Sequence, residues 1–400
     1  MKILYIHQYF HTSSEAGGTR SYWISQELIK NGHEVIMLTS SSEIDSKVKR
    51  IDINGIDVIY LKVPYSQYMS IFKRLMSFVN FMLKSARIAL KEKDVDLVIA
   101  TSTPLTIGFP ALVVKKLKKT PFLFEVRDLW PEVPIQMGGL NNKLLIKLAV
   151  WFEKTIYKNA MHVVALSPGM YDGVVKRNIP PEKVSMIPNM SKIDIFWSRD
   201  KDLVLVDNLG LKRDSFKVVY FGAMGLANGM DYIIEAIKYL KDNQEIEFVF
   251  MGSGATEPIL KDTCESLGIK TAHFLGGFDL EKLSEIVNLC DVSLVTFADF
   301  PILATNSPNK LFDSLSAGKP IIVNSPGWTK DMIENNKCGV FVDPKNPKDL
   351  AKNILSLKED PKTCKEMGLN ARRLAETKYD KSILCKEFTD VVASLDLNKQ

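Results

Sequence analysis

Residues 300–323, FPILATNSPNKLFDSLSAGKPIIV, contain a helix start, a helix end and a buried strand in quick succession. Ser307 and Pro308 predict the start of a helix, because serine caps free backbone N–H groups and proline is tolerated in the first turn. Gly318 predicts the end of that helix, and the apolar run that follows predicts a strand. A helix that leads directly into a buried strand is typical of an α/β sheet.

The same alternation of strands and helices extends from this segment through the chain. Apolar strands are predicted at 3–6, 34–39, 96–101, 121–126, 162–166 and 183–188, and again at 217–222, 247–252, 272–277, 292–297 and 319–324. A polar stretch over 193–208 separates the two series. Because strands that alternate with helices form parallel sheets covered on both faces, we predict two doubly wound α/β domains at 1–195 and 196–378. A last helix over 379–400 either lies on the surface or returns to the first domain.

Composition and charge indicate where the protein is located and what kind of partner it binds. No apolar run reaches the roughly 20 residues that cross a bilayer, and the first residues do not follow a signal-peptide pattern, so we expect a cytoplasmic protein. Residues 1–200 carry 27 Lys and Arg against 18 Asp and Glu, whereas residues 201–400 carry 25 against 29. A positive first half predicts a polyanionic partner. The five cysteines are scattered without a CxxC pair, so we expect reduced thiols.

Candidate ligand-binding residues of the second half lie after the predicted strands, where ligands of parallel sheets bind. The free N–H groups of the helix that begins near Ser307, together with Lys310, would suit a diphosphate. Asp313 lies on the same helix face as Lys310, and its two oxygens could accept hydrogen bonds from a ribose. The alternative is an ordinary Lys–Asp pair on the surface of a capped helix.

Glycines follow three predicted strands of the second half. Gly222 and Gly225 come after the first, Gly254 after the second, and Phe278 follows a pair of glycines after the third. Glycine lets backbone amides approach a phosphate closely. The spacing is not GxGxxG, but several glycine-bearing strand ends in one domain favour a nucleotide site.

Two loops of the first half are candidates for the same cleft. Gly17 and Gly18 follow the first strand and precede a helix. Asp128 comes directly after the strand at 121–126, where it could orient or deprotonate a hydroxyl group, with Glu132 as a nearby alternative. Alternatively, Asp128 caps the turn, and the Trp-Pro pair that follows it fills the rim of the domain.

These motifs resemble the GT-B fold glycosyltransferases of family 4, most closely the WbuB-like enzymes of bacterial surface-polysaccharide synthesis. The resemblance is carried by ILYIHQYF (3–10), AGGTRSYW (16–23), FEVRDLWPE (124–132), ALSPGM (165–170), MIPN (186–189), YFGAMG (220–225) and SPNKLFDSLSAGKPII (307–322). It implies two Rossmann-like domains that face each other across a cleft. It also implies transfer of a sugar, an N-acetylated amino sugar, from a UDP-sugar to a polyprenyl-diphosphate-linked saccharide for O-antigen or capsule, with retention of configuration.

The resemblance assigns site residues on both sides of the cleft. The loop after the first strand would reach the donor phosphates and the acceptor, which makes His7, His11, Glu15, Gly17, Gly18 and Arg20 candidates. Arg20 stands near a helix start, where a positive side chain opposes the helix dipole, so we expect it to hold a phosphate. In the second domain the donor would contact Gly222, Gly225, Gly254, Phe278, Ser307, Asn309, Lys310 and Asp313. Catalysis would depend on stabilising the departing diphosphate, which itself accepts the acceptor proton.

The sequence departs from the usual family pattern of two Glu residues separated by seven, with Gly five residues later. Counting back from Gly318 puts Asp313 at the second acid and Thr305 at the first. Ala223 and Asn228 stand where Arg and Lys are common in the phosphate loop. We therefore predict that Lys310 takes over the missing positive charge.

A second group of residues predicts membrane contact. The stretch 65–91 contains five basic residues, no acidic residue and many large apolar ones. A basic amphipathic helix of this kind can lie in the headgroup layer of an anionic membrane, and the lysines of 115–119 would extend the patch. We therefore expect a peripheral protein on the inner face of the cell membrane. The alternative is a core helix with a solvated basic edge.

Other classes of function are less consistent with the sequence. The DxD patterns at 94–96 and 200–202 do not follow strands, so we expect no metal and no cofactor. Aromatic and basic residues do not interleave on one strand, so we expect no nucleic-acid binding. Two rival functions stay open: a UDP-sugar 2-epimerase, which needs no lipid acceptor, and a sugar-nucleotide sensor without turnover, which the departures from the family pattern make conceivable.

Overall fold

The computed structural model describes residues 1–15, 17–66 and 69–395 and contains two parallel sheets. The first sheet has the strand order β3-β4-β2-β1-β5-β6-β7-β8. Its strands are β1 (Lys2–Ile6), β2 (Glu34–Ser41), β3 (Val48–Ile53), β4 (Ile56–Lys62), β5 (Leu97–Thr101), β6 (Phe122–Val126), β7 (His162–Ala165) and β8 (Val184–Met186). The accompanying helices are α1 (Arg20–Lys30), α2 (Ile71–Ala89), α3 (Gly108–Lys118), α4 (Glu132–Gln136), α5 (Lys143–Asn159) and α6 (Pro168–Val175).

The second sheet is parallel throughout and has the order β11-β10-β9-β12-β13-β14. Its strands are β9 (Phe216–Phe221), β10 (Ile246–Met251), β11 (Ala272–Gly276), β12 (Val292–Val295), β13 (Ile321–Val323) and β14 (Gly339–Phe341). The helices of this half are α7 (Leu203–Asn208), α8 (Met230–Lys238), α9 (Glu257–Ser266), α10 (Leu280–Leu289), α11 (Asn309–Ser316), α12 (Trp328–Asn335), α13 (Pro347–Glu359), α14 (Pro361–Leu374) and α15 (Lys381–Ser394). The predicted fold class, two doubly wound parallel-sheet domains, is confirmed.

Buried apolar strands form the parallel central part of both sheets. The central strand β1 is flanked by β2 and β5, and its residues 3–6 have no exposed surface. A strand that is covered by helices on both faces must be apolar on both sides, which is the pattern that the sequence shows. The carboxyl ends of these strands therefore point to one edge of each sheet.

The edge hairpin β3–β4 was not among the predicted strands. It pairs antiparallel, and its two-residue turn consists of Asn54 and Gly55, with φ angles of 52° and 83°. An Asn-Gly pair between alternating apolar residues is the usual sequence pattern of such a turn. The sequence therefore contained the signal for this hairpin.

Two chain crossings connect the domains, and they lie side by side. The backbone N–H of Ser191 donates to the carbonyl of Tyr379 at 2.7 Å, and the N–H of Lys381 donates to the carbonyl of Ser191 at 2.9 Å. After the second crossing, α15 packs on α1 of the first domain, with Leu384 and Phe388 in the core that also contains β1. The last helix thus closes the first domain with residues from the far end of the chain.

The packing of α15 gives a stability prediction. Phe388 is 0% exposed, so we expect Phe388→Ala to lower the free energy of unfolding by about 3–5 kcal/mol through lost burial and the cavity left behind. Urea denaturation followed by circular dichroism measures this change. As a control, Leu369→Ala changes a side chain that is 62% exposed and should stay within about 0.5 kcal/mol of the parent protein. Equal unfolding midpoints for the two variants would contradict the role of α15.

Candidate functional site

Two cavities meet between the sheets. The interdomain cavity has a volume of about 310 Å³ and is lined by His7, Tyr9, His11, Gly18, Thr103, Arg127, Asp128, Leu166, Asn189, Phe297, Asn306, Ser307, Pro308 and Asn309. The second-domain cavity has a volume of about 260 Å³ and is lined by Gly17, Phe221, Gly222, Ala223, Met251, Gly252, Gly277, Phe278, Leu280, Leu283, Asn309, Lys310 and Asp313. Asn309 lines both cavities, so they are adjacent at the first turn of α11.

The fold explains why these residues come together. Gly222, Gly252 and Gly277 follow directly after β9, β10 and β11, while His7 and Arg127 follow β1 and β6. All are at the carboxyl ends of parallel strands, the edge at which α/β sheets bind ligands. Gly17 and Gly18 belong to the loop between β1 and α1, and one lines each cavity. The carboxyl edges of the two sheets therefore share one ligand-binding region.

Gly252, the first glycine after β10, forms part of the second-domain cavity wall. It has a φ angle of 124°, and a Cβ atom there would lie 2.0 Å from the carbonyl oxygen of Gly222. Only glycine allows the two strand ends to approach so closely. The predicted Gly225 and Gly254 are not on the cavity wall: a Cβ atom on Gly254 would lie 2.3 Å from the carbonyl oxygen of Met224, which shows that this residue packs under the loop. The predicted Gly222 and Phe278 do line the cavity.

Lys310 is the buried cation of the second-domain cavity. Its ammonium group donates to the hydroxyl of Tyr220 at 2.7 Å and to Oδ1 of Asn228 at 3.3 Å. Burial lowers the pKa of Lys310 to about 7. Among the described residues no carboxylate oxygen lies within 4.0 Å of the ammonium group. A buried lysine with neutral partners can accept an anionic ligand without breaking an ion pair.

Asp313, one turn further along α11, is already paired. Its Oδ1 lies 2.7 Å from Nζ of Lys192, and both side chains are almost fully buried. Burial raises the pKa of Asp313, whereas Lys192 acts in the opposite direction. Asp313 still lines the cavity together with Lys310. The sequence placed these two residues on one helix face, but it contained no indication that Lys192 is the partner.

The predicted capping role of Ser307 is wrong. Helix α11 begins at Asn309 with Pro308 at its N-cap, and no side chain caps it. Instead, Oγ of Ser307 accepts a hydrogen bond from the backbone N–H of Asn189 at 3.1 Å, and the Asn189 side chain donates to the Ser307 carbonyl at 2.5 Å. Ser307 therefore joins the two domains, and the first turn of α11 lines the cavities without a side-chain cap.

Thr305 occupies the position where the family pattern has its first acid. Its side chain packs against the first domain, since a Cβ atom on Gly169 would lie 2.7 Å from Cγ2 of Thr305. Ser167, the N-cap of α6, donates to the carbonyl oxygen of Thr305. A longer acidic side chain would therefore meet the start of α6 at this position.

Arg127 is the residue that the sequence interpretation missed in the interdomain cavity. Its Nη1 lies 3.1 Å from Nε2 of His7, and Nδ1 of His7 lies 2.8 Å from Oγ of Ser21. Because a guanidinium group can only donate, Nε2 of His7 accepts and Nδ1 carries the proton. Burial and, secondarily, Arg127 lower the pKa of His7, so the imidazole is neutral. His7 and Ser21 thus orient Arg127.

The guanidinium group of Arg127 is directed to the junction of the two cavities. A Cβ atom on Gly18 would lie 2.8 Å from its Nη2 and 3.7 Å from Nδ2 of Asn309, the residue that lines both cavities. Among the described residues no carboxylate oxygen lies within 4.0 Å of this guanidinium group. Arg127 is therefore a second cation available to an anionic ligand.

The prediction that Arg20 binds a ligand phosphate is wrong. Arg20 is 2% exposed, its Nε lies 2.7 Å from Oε1 of Glu125, and its remaining nitrogens donate to the carbonyl oxygens of Ile187 and Pro188. This ion pair joins α1, β6 and the segment after β8. Each of the three guanidinium nitrogens thus has a partner inside the domain, and Arg20 lines neither cavity.

The two predicted acids of the first domain have different positions. Asp128 lines the interdomain cavity, its Oδ2 accepts a hydrogen bond from Thr103 at 2.6 Å, and burial raises its pKa. Glu132 lies outside both cavities and forms an ion pair with Arg177 at 3.1 Å, so the prediction that it could replace Asp128 is wrong. His11 lines the interdomain cavity and lies 3.7 Å from Glu15, which does not line it.

The two parts of the predicted membrane patch lie apart. Phe72 and Met76 are exposed in the first turns of α2, whereas the lysines of 115–119 are at the other end of α3, about 16 Å from its start. There Lys115 donates to the carbonyl of Asn159, and Lys118 to that of Glu92. Residues 67 and 68 of the predicted stretch lie outside the described residues.

In a comparison with known proteins, each half of the chain matches a glycosyltransferase family model. Residues 16–190 match the family model described as glycosyl transferase 4-like domain, and residues 205–374 match that of glycosyl transferases group 1. An uncharacterised glycosyltransferase of Methanocaldococcus jannaschii is 23% identical, over 92% of this chain and 91% of its own. UDP-Gal:α-D-GlcNAc-diphosphoundecaprenol α-1,3-galactosyltransferase of Escherichia coli is 27% identical, over 48% of this chain and 50% of its own.

A solved structure extends the likeness to the whole fold. Sucrose-phosphate synthase of Thermosynechococcus elongatus superposes with a TM-score of 0.79 at 17% identity, and the match covers 98% of both chains. At this identity the likeness concerns the fold. The predicted GT-B architecture is confirmed.

The contrast between two arginines gives a prediction that does not depend on a ligand. Arg20→Ala leaves Glu125 buried and unpaired, so we expect the free energy of unfolding to fall by about 3–5 kcal/mol. Arg127→Ala removes one hydrogen bond to a neutral histidine and should cost less than about 1.5 kcal/mol. Urea unfolding of both variants measures the difference. A larger loss for Arg127→Ala would contradict the assignment of Arg127 to the ligand and Arg20 to the fold.

Proposed function

The chain belongs to the GT-B glycosyltransferases, and from this premise we propose that it transfers a sugar from a UDP-sugar to a polyprenyl-diphosphate-linked saccharide. The transferred group is an N-acetylated amino sugar, the configuration is retained, and the product belongs to surface-polysaccharide synthesis at the cytoplasmic face of the membrane. The observation that carries the proposal is the pair of cations without carboxylate partners, Lys310 and Arg127, on opposite sides of the junction between the cavities.

The second-domain cavity suits the nucleotide part of the donor. Its glycine floor at Gly222 and Gly252 offers backbone close to a ligand, and Lys310 supplies a positive charge without a metal ion. Asp313 is the group that would accept hydrogen bonds from ribose hydroxyls, and Lys192 opposes the rise in its pKa that burial causes. Phe278 adds apolar surface at the same wall.

The donor diphosphate would lie where the cavities meet, near Asn309. There Lys310 approaches from the second domain and Arg127 from the first. The bond between the anomeric carbon and the diphosphate oxygen breaks as the acceptor hydroxyl attacks that carbon, and the hydroxyl proton passes to the departing diphosphate. Fixed positive charges that face the developing negative charge lower the barrier of such a step. Two cations from opposite domains thus replace the usual Arg and Lys of the phosphate loop.

The interdomain cavity would hold the acceptor. Asp128 lines it and is held by Thr103, so it can accept a hydrogen bond from the attacking hydroxyl and orient it. The name of the galactosyltransferase relative specifies a UDP-sugar donor and a diphosphoundecaprenol-linked acceptor. This pair of substrates is the chemistry that we extend to the present chain.

A transfer assay tests the proposed function. The protein is incubated with labelled UDP-sugars and EDTA, with and without a lipid extract that contains polyprenyl-diphosphate-linked saccharides. We expect label in the lipid fraction only when the extract is present, and loss of at least about 100-fold in rate for Arg127→Gln, since one fixed charge at a developing anion is worth this much. Epimerised nucleotide sugar without extract would identify an epimerase, and tight binding without product would identify a sensor.

Lys310 makes donor binding depend on pH. The ammonium form binds the diphosphate, and its pKa is about 7 before the ligand arrives, so the affinity should fall as the pH rises and the lysine loses its proton. We expect UDP-sugar binding to weaken roughly tenfold or more between about pH 6.5 and 8.5. Isothermal titration calorimetry measures the dissociation constant and the proton uptake.

Two variants show whether Lys310 causes this pH dependence. Lys310→Met should bind the donor weakly and with little change over the same pH range. Lys319 is the matched control, because burial lowers its pKa to about 8 while its ammonium group donates to the carbonyl of Asn288 outside both cavities. Lys319→Met should keep the pH dependence of the parent. A parent protein whose donor affinity is constant with pH would remove Lys310 from the site.

A further inference from the structure

The first half of α5 is largely exposed to solvent. None of the residues 143–151 is buried, and the buried residues of the helix, Glu153, Ile156 and Tyr157, all belong to its second half. Leu144 is 66% exposed and Trp151 is 64% exposed, with Leu145 and Leu148 also exposed between them. Large apolar side chains of this kind are usually buried, so their clustering on one helix indicates a binding surface.

The helix presents its apolar and basic residues as two neighbouring stripes. Leu144, Leu148 and Trp151 follow the spacing i, i+4, i+7 and point away from the buried side of the helix. The four lysines 143, 147, 154 and 158 share the adjacent stripe. The only acidic residue of α5, Glu153, is buried and paired with Arg177 at 2.6 Å. The solvent-facing surface of α5 is therefore apolar and cationic without a negative charge.

Helix α2 repeats this arrangement on the same face of the first sheet. Phe72, Leu75 and Met76 are exposed in its first turns, and the segment from 65 to 91 has no acid. Helix α3 packs between α2 and α5. In a parallel sheet each crossover helix begins at the carboxyl edge of the strands, which is the edge that carries the interdomain cavity. The apolar ends of α2 and α5 thus lie on the cavity side of the domain.

We propose that the first half of α5, together with the first turns of α2, inserts into the headgroup layer of an anionic bilayer. Apolar side chains enter the boundary with the acyl chains, and lysines beside them pair with lipid phosphates. A second copy of this chain fits less well, because two lysine-rich surfaces repel each other. No described helix is long and apolar enough to span a bilayer, so contact through these helices would be superficial.

Helix α5 lies outside the two stretches, 65–91 and 115–119, that the sequence predicts for membrane contact. The proposed membrane surface rests on the proposed function in one respect: an acceptor anchored by a polyprenyl chain would carry its diphosphate in the headgroup layer, next to the interdomain cavity. Vesicle binding itself needs neither donor nor acceptor. The two proposals can therefore fail separately.

Vesicle sedimentation of the full chain tests the surface. The parent protein, the double variant Leu148→Glu/Trp151→Glu and the control Leu369→Glu are mixed with vesicles of phosphatidylglycerol and phosphatidylcholine, or of phosphatidylcholine alone. Leu369 is as exposed as Trp151 but lies on α14 of the second domain. We expect binding of the parent to the anionic vesicles only, at least a tenfold loss in the double variant, and no change in the control. Circular dichroism and thermal unfolding verify that both variants fold, as the exposure of all three positions predicts.

The outcomes separate the alternatives. Unchanged vesicle binding in the double variant would overturn the inference, as would equal losses in the double variant and the control. A dimer of the parent that dissociates in the double variant, measured by analytical ultracentrifugation, would identify a second copy as the occupant and also overturn it. Loss of vesicle binding combined with no transfer to lipid by the parent would support the membrane surface and reject the proposed acceptor. Transfer to a short-chain, water-soluble acceptor should be kept by the double variant, because neither substituted residue lines a cavity.

Discussion

The contact of the segment 189–192 with helix α11 determines how the two sheets face each other. Asn189 is hydrogen-bonded to Ser307, Ser191 donates to the carbonyl of Phe312 at 2.9 Å, and Lys192 forms a buried ion pair with Asp313. The first domain thus holds the helix whose first turn lines both cavities. Separating a buried ion pair leaves unpaired charges in the protein interior, which is strongly destabilising. Helix α11 therefore cannot move far from this segment without a large loss of stability. The position of Lys310 relative to Arg127 follows from this contact.

The positively charged residues around the cleft form two groups. Those of one group are in buried ion pairs that stabilise the fold, and those of the other have no ion-pair partner and could bind an anionic ligand. Arg20 forms a buried ion pair with Glu125, and Lys192 forms one with Asp313. Each of these ion pairs holds together the segments that it joins. Lys310 and Arg127 have only neutral partners, a tyrosine, an asparagine and a histidine. Neutral hydrogen-bond acceptors orient a cation without forming an ion pair, and Asp128 interacts with Arg127 only at longer range, so part of the positive potential is available to an anion. In the proposed function, this division would let the chain offer two positive charges to a diphosphate although Ala223 and Asn228 stand where Arg and Lys are common in the phosphate loop.

Local sequence patterns predicted the features that depend on local physics. Parallel sheets follow from apolar strands alternating with helices, and Gly17, Gly18 and Gly222 were located by their positions after strands. Lys310 was located by the predicted helix start, and Asn309 by the family resemblance. The choice between Arg20 and Arg127 could not be made in this way, because Glu125 is 105 residues from Arg20 and its approach depends on the assembled sheet. The predicted capping role of Ser307 was wrong for the same reason, since its partner Asn189 belongs to the other domain. The stripe on α5 has the spacing of an ordinary core helix, so only the structure shows that its apolar side is exposed. The Asn54-Gly55 turn, in contrast, depends on local sequence alone, so the β3–β4 hairpin could have been predicted but was not.

The arrangement of the crossings restricts how the cleft can open. Because the two chain crossings pair with each other at Ser191, a rotation of the domains about this point would break other contacts between them, such as those between Ser167 and Thr305 and between Gln136 and Ile302. Lys310 belongs to the second domain and Arg127 to the first, and both lie near the junction of the cavities. In the proposed function, a bound diphosphate would contact both cations and thereby both domains. A ligand shifts a conformational equilibrium only through its different affinity for the two states, and such simultaneous contact would favour the state in which the two domains are close together. Substrate binding and cleft closure would then be coupled through the same two side chains that would stabilise the leaving group.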